Sequence, residues 1–170
     1  MRRTNHLRVA LPCAFFLTAL CLPAATDDKE HAPKFNATTT AGEKFNNSSI
    51  KGKVVLLDFW TTWCQYCLKE GAIVDQLNRD YADKGLIVLA VNVAESKKTV
   101  NKFLALHPRT SRIVLTDDTN LAAMYAATVY PIYVVIDRDG NISGTQRGAG
   151  GEAPLRKLLA SAGIGADEEE

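Results

Sequence analysis

Cysteine and histidine are both scarce in this chain, at four and three of 170 residues, and that scarcity excludes several kinds of protein. Cys13 and Cys21 fall in an N-terminal apolar stretch, so only Cys64 and Cys67 remain beyond it. A small domain stapled by disulfides uses more cysteines and wider loops, because a wide loop restricts the unfolded chain more than a short one. A structural zinc site needs four ligands, and neither His31 nor His107 has ligand-type spacing to a partner. A c-type haem would need histidine directly after the second cysteine, where Leu68 stands. The residues call for no metal and no other cofactor.

An excess of one charge is lacking too. The 20 basic and 19 acidic residues nearly balance, and no basic stripe interleaved with aromatics occurs, which argues against a nucleic-acid partner. The apolar run from Val9 to Leu22 is shorter than the roughly 17 to 25 residues of a membrane span. It follows Arg2, Arg3 and Arg8 and precedes Pro23-Ala24-Ala25, the layout of a secretory signal over residues 1–25, either cleaved or kept as an anchor. Lipidation at Cys21 would want a small residue where Leu20 stands. Removing the signal takes away three basic residues and leaves 17 against 19 acidic ones, a formal charge of −2. Export places the remaining cysteines in an oxidising compartment, periplasmic or otherwise extracytoplasmic.

What is present is an alternation of elements that argues an α/β fold of one domain. Residues 26–33 read as a polar linker, residues 34–164 as the domain and residues 165–170 as an acidic tail. Short apolar pieces between Lys34 and Ile50 precede a buried central strand from Val54 to Trp60. Residues 64–81 carry Leu68, Ile73, Val74, Leu77 and Tyr81 at near-helical spacing, closed by Gly85. Leu86 to Val93 reads as a second buried strand, Ser96 as the cap of a helix through Leu106, and Ile113 to Leu115 as a short strand. A short helix from Asn120 to Tyr125 leads to strands Ile132–Ile136 and Ile142–Gln146 around an Asp139-Gly140 turn, then to a final helix from about Ala153 to Ala162.

The pair Cys64 and Cys67 sits where the central strand hands over to a helix. The first thiol then lies at the helix N-terminus, where open backbone N–H groups and the macrodipole favour the anion, and the second lies one turn inside within bonding reach. Such a pair suits reversible disulfide formation. It predicts Cys64 as the exposed nucleophile and Cys67 as the shielded partner. Asp58 is a carboxyl group in an otherwise apolar strand, a placement that costs heavily without a purpose. Strand alternation allows it to lie beneath the thiols.

The segment Phe59-Trp60-Thr61-Thr62-Trp63-Cys64-Gln65-Tyr66-Cys67 resembles the active-site segment of the thioredoxin superfamily. Lys51-Gly52-Lys53-Val54-Val55, Val91-Asn92-Val93-Ala94-Glu95-Ser96, Pro131 and Ile136-Asp137-Arg138-Asp139-Gly140 are similar to the exported TlpA/ResA-type thiol-disulfide oxidoreductases, over residues 33 to 162. The resemblance implies a thioredoxin-like fold, a central mixed sheet flanked by helices, with an N-terminal β extension. Cys64 and Pro131 stand 67 positions apart, as a central helix-strand insertion would imply. It further implies that Cys64, Cys67, Asp58 and Glu95 carry the chemistry, with Glu95 weighed against a surface role at the start of the Ser96 helix. Pro131 is implied to be a cis-proline beside Tyr130, whose backbone would receive an extended substrate. Trp63, Gln65 and Tyr66 complete the implied substrate-facing set. The implied activity is exchange with protein disulfide or dithiol substrates by a monomer, supplied by a membrane electron donor, with cytochrome c maturation as the family's setting. Gln65-Tyr66 lacks the proline common in reducing members, so oxidase, isomerase and non-catalytic peptide-binding readings stand beside the reductant.

Overall fold

The computed structural model describes residues 29–166; the signal reading of residues 1–25 and most of the acidic tail lie outside them. Seven strands and four helices occur among the described residues. In chain order they are β1 (Asn36–Thr39), β2 (Lys44–Asn46), β3 (Val54–Trp60), α1 (Gln65–Asp80), β4 (Leu86–Asn92), α2 (Lys97–Leu106), β5 (Arg112–Thr119), α3 (Leu121–Met124), β6 (Ile132–Ile136), β7 (Ile142–Arg147) and α4 (Glu152–Ala160). The strands form one mixed sheet in the order β2-β1-β5-β4-β3-β6-β7. Pairing is parallel for β3 with β4 and β4 with β5, and antiparallel elsewhere.

β3 lies centrally because all seven of its residues are buried, and a strand covered on both faces needs an unbroken apolar run rather than alternation. Val55, Leu57 and Phe59 enter the core on one side with Phe35, Leu121 and Ile132. Val54 and Leu56 face the other side, against Val74 and Leu77 of α1 and Leu155 and Leu159 of α4. Trp60 continues that second face into a cluster with both cysteines and Val100 of α2. Each aliphatic side chain removed from water contributes about 1.5 to 3 kcal/mol, so the β3 run anchors the fold from both sides. The domain carries the thioredoxin-like architecture expected from the resemblance, and α2 and β5 lie between the cysteines and Pro131.

Two local expectations change. The strand read at Ile113 to Leu115 extends to Thr119, because its polar second half pairs with β1 through Ala37 and Thr119, and polar edge residues leave no hydrophobic signal. The stretch read as linker reaches the domain: His31 bridges Asn141, and the backbone N–H groups of Ala32 and Ile142 donate to Gly140 and Glu30 at 2.9 and 2.7 Å. Gly140 adopts φ +89° in that turn, a backbone setting that glycine reaches without strain. No helix among the described residues is long and apolar enough to cross a membrane.

Candidate active site

Cys64 and Cys67 are joined as a disulfide, with their Cα atoms 5.2 Å apart. Cys64 is the N-cap of α1 in extended backbone, and its sulfur accepts the backbone N–H of Cys67 at 3.1 Å. One open donor of the helix start is thereby satisfied by sulfur, and the same N–H favours negative charge there once the pair is reduced. The expected contrast in exposure is absent. Cys64 is 6% exposed and Cys67 4%, because both pack in the cluster of Trp60, Val100, Ile113 and Leu115, with Tyr130 against it. Position separates them instead: Cys64 caps the helix, whereas Cys67 lines a cavity of about 420 Å3 with Leu68, Phe103, Leu106, His107 and Arg109.

Around the disulfide the rim is aromatic. Trp63 and Tyr66 are 68% and 64% exposed, a large aromatic surface left uncovered, and Gln65 is exposed between them. Trp63 meets Tyr130 edge to face, their ring centroids 5.8 Å apart. Tyr130 packs on the cluster that holds both cysteines, and its hydroxyl donates to the carbonyl of Ala127 at 2.9 Å. Burial, and then the charge of Glu95, raise its phenol above the ordinary value. The Tyr130–Pro131 peptide bond is cis, and the Pro131 carbonyl accepts the Gly148 N–H at 2.8 Å.

Glu95 does not face the sulfurs by any hydrogen bond. Its Oε2 accepts the backbone N–H of Thr62 at 2.6 Å and Nδ2 of Asn92 at 2.7 Å, and its Oε1 accepts the Thr62 hydroxyl. Three bonds thus tie the end of β4 to the loop that carries the disulfide.

Asp58 occupies the same face of β3 as Trp60, on the side where α1 and both cysteines pack. It is not isolated. Nη2 of Arg109 donates to Asp58 Oδ2 at 3.0 Å, and Nε of the same guanidinium donates to Asp75 Oδ2 at 3.2 Å. The three side chains are buried, at 8% exposure or less except Asp75 at 9%. Burial lifts the Asp58 carboxyl above the ordinary range, Arg109 opposes it by charge and hydrogen bond, and Asp75 and Glu70 add to the lift. Burial also works against the charge of Arg109, but Asp58 and Asp75 outweigh it and hold the guanidinium more firmly protonated. Asp75 is satisfied further by the backbone N–H and hydroxyl of Ser111. Nearby, Glu70 accepts the hydroxyl of Tyr133 at 2.8 Å and the backbone N–H groups of Gly150 and Gly151.

Residues 26–159 match the Redoxin family. The chain belongs to that family. Thioredoxin-like protein YneN of Bacillus subtilis is 38% identical over 116 residues, 66% of this chain and 67% of that protein. Thiol-disulfide oxidoreductase ResA of the same organism is 32% identical over 111 residues, 65% of this chain and 62% of that protein. These matches span about two thirds of the curated relatives' length. A thiol:disulfide interchange protein of the thioredoxin family from Chlorobium tepidum shares the fold with a TM-score of 0.70, at 25% identity over 81% of this chain and 99% of that one.

In this redoxin, sequence reasoning found Asp58 and missed what surrounds it. Glu70 lies three residues after Cys67 and four before Val74, so helical spacing alone puts it on the buried face where an apolar residue belongs. Asp75 lies one position after Val74 on the same helix and is also buried. Arg109 carried no such signal, because it comes from the loop between α2 and β5, 51 residues from Asp58. Among the described residues no group of three or more histidine, cysteine, aspartate or glutamate side chains is arranged to hold a metal ion.

Proposed function

We propose that this chain is an exported thiol-disulfide oxidoreductase that reduces disulfides of protein substrates through Cys64 and Cys67. The observation that carries the reading is the disulfide at the helix start, whose Cys64 sulfur receives the Cys67 N–H at 3.1 Å. In the reduced protein, the Cys64 thiolate attacks one sulfur of the substrate disulfide and expels the other as a thiolate, leaving a mixed disulfide. Cys67 gives its proton to the Asp58 carboxylate and attacks the Cys64 sulfur; the Cys64–substrate bond breaks, and the departing thiolate takes up a proton. Two electrons have moved from the dithiol to the substrate, and an external donor on the membrane side returns them.

Trp63, Gln65, Tyr66 and the Tyr130-Pro131 turn form the substrate face. Its exposed aromatic surface suits an extended, partly apolar segment held by backbone pairing at Tyr130. Glu95 fixes the Thr62 loop rather than exchanging the proton, a role supported by the three hydrogen bonds it already accepts. The protein acts as a monomer, and the signal layout of residues 1–25 supports an extracytoplasmic setting, in which cytochrome c maturation is a suitable task. The test is insulin reduction by the dithiol form beside Cys64→Ser. Turnover lost in the variant supports the reading, and no turnover in the parent protein would leave a binding module.

A further inference from the structure

Three carboxyl groups, Asp58, Asp75 and Glu70, are buried on the side of the sheet where α1 packs, and one guanidinium, that of Arg109, bonds the first two. Glu70 and Asp75 each have backbone N–H donors, two from Gly150 and Gly151 and one from Ser111. Asp58 receives its hydrogen bond from Arg109. The guanidinium is itself seated with care. It lies over the indole of Trp60 at 5.7 Å, and it lies against Gly71 so closely that a Cβ there would stand 3.1 Å from Nη1. Arg109 and Cys67 line one cavity, and Asp58 lies 3.0 Å from the guanidinium, so the cation links the cavity of the inner cysteine to the carboxyl.

We propose that Arg109 is a positioning residue for the redox reaction: clamped between Asp58 and Asp75 and seated in the gap at Gly71, it aims the Asp58 carboxyl as the acceptor for the Cys67 proton. The proposal rests on the proton-acceptor reading of Asp58 and adds to it the group that sets when that acceptor is available. Every charged or titratable group facing Asp58 bears on the outcome. Arg109 faces it from the α2–β5 loop, Asp75 and Glu70 from α1, and Tyr133 from β6, while its β4 neighbour Ala90 contributes none. Of these only Arg109 favours the charged carboxylate. Removing it therefore makes Asp58 hold its proton to higher pH, and Cys67 then has its acceptor only in that higher range.

The experiment follows resolution of a mixed disulfide against pH. Reduced protein is mixed with the aromatic disulfide DTNB, and the second thionitrobenzoate, released when Cys67 attacks Cys64, is timed by stopped flow. Arg109→Met is expected to move the acid limb of the rate profile upward by at least one pH unit, slowing release tenfold or more at pH 7 with recovery at higher pH. Arg109→Lys, which keeps the charge but cannot bridge two carboxylates, should move it less and in the same direction. Gly71→Ala, which crowds the guanidinium without touching its charge, should also shift it upward, and keeps the test available if Arg109→Met does not fold. An unchanged limb in Arg109→Lys and Gly71→Ala, or a slowing equal at every pH, overturns the proposal and leaves Arg109 a structural clamp. Asp58→Asn separates the two ideas. A limb that survives this variant sinks the Asp58 reading and the proposal with it, whereas a limb lost in Asp58→Asn but unmoved in every Arg109 and Gly71 variant sinks the proposal alone.

Discussion

The hydroxyl of Tyr133 donates to Oε2 of Glu70 at 2.8 Å, joining the strand beside β3 to the helix that carries the disulfide. Burial, then the charge of Asp58 and the bond to Glu70, raise the Tyr133 phenol above its ordinary range, so it remains a donor at any working pH. Tyr133→Phe removes a hydrogen bond to a charged acceptor and should cost about 1.5 to 3 kcal/mol of stability, measured by urea unfolding. Glu70→Leu should cost less than a buried charge would suggest only if Gly150 and Gly151 find water. A loss larger in Glu70→Leu than in Tyr133→Phe is the expected order.

Cys64 should react first. With its sulfur at the helix N-cap, the reduced Cys64 thiol is expected to ionise below an ordinary cysteine, because the open N–H groups there favour the thiolate. Iodoacetamide at pH 6 on the reduced protein, followed by peptide mapping, should place the label on Cys64. Preferential labelling of Cys67 would reverse the assignment of roles.

Glu95 has a different signature. Glu95→Ala leaves the Thr62 N–H and the Asn92 amide without their acceptor, at about 1 to 3 kcal/mol for groups only partly shielded from water. Amide exchange at Thr62 should accelerate about tenfold or more, while the acid limb of mixed-disulfide resolution stays in place. A moved limb with unchanged exchange would make Glu95 a proton carrier instead.

Asp58 makes stability depend on pH in a defined sense. Its carboxyl is raised above the unfolded value of 3.8 by burial, so the folded protein binds that proton more tightly than the unfolded chain. The resulting stabilisation is complete below about pH 3.8 and is lost as pH rises through the higher folded value. Comparing the protein with Asp58→Asn by thermal unfolding across pH cancels the other carboxylates. The stability of the natural protein relative to the variant should fall as pH rises through that window and then level off; a difference that grows with pH would contradict the direction of the shift.

The redox couple itself should lie near about −250 mV, between glutaredoxin-like and strongly reducing thioredoxin-like values. About 30 mV corresponds to 1.4 kcal/mol in a two-electron couple, so one charge-assisted hydrogen bond at the Cys64 sulfur can move it visibly. Equilibration against glutathione measures it. A value near that of strong oxidases, about −120 mV, would make the chain a donor of disulfides.

Much of this arrangement is legible along the chain because hydrophobic pattern and turn chemistry are local. The apolar run to Trp60, the Ser96 cap and the Asp139-Gly140 turn each announce an element within a few residues. Thr116 to Thr119 announce nothing, since an edge pairing with β1 asks only for backbone groups. The proton-handling corner is harder for another reason. Asp58 stands out as a charge inside a strand, but the guanidinium that answers it comes from a loop, where neither period nor cap records a partner 51 residues away. Glu70 lay within reach of helical spacing, and a charged residue at an apolar position of α1 was the available clue.

The bridge from His31 to Asn141 seats the first described residues at one pole of the domain. β6 runs opposite to β3, with Ile136 beside Val55 and Ile132 beside Phe59, so the turn that Asn141 closes lies at the end of the sheet remote from Cys64. The length of β3, about 20 Å at the usual rise per residue, separates the two poles. The described chain therefore enters the domain at the far pole, and the aromatic rim around the disulfide occupies the opposite one.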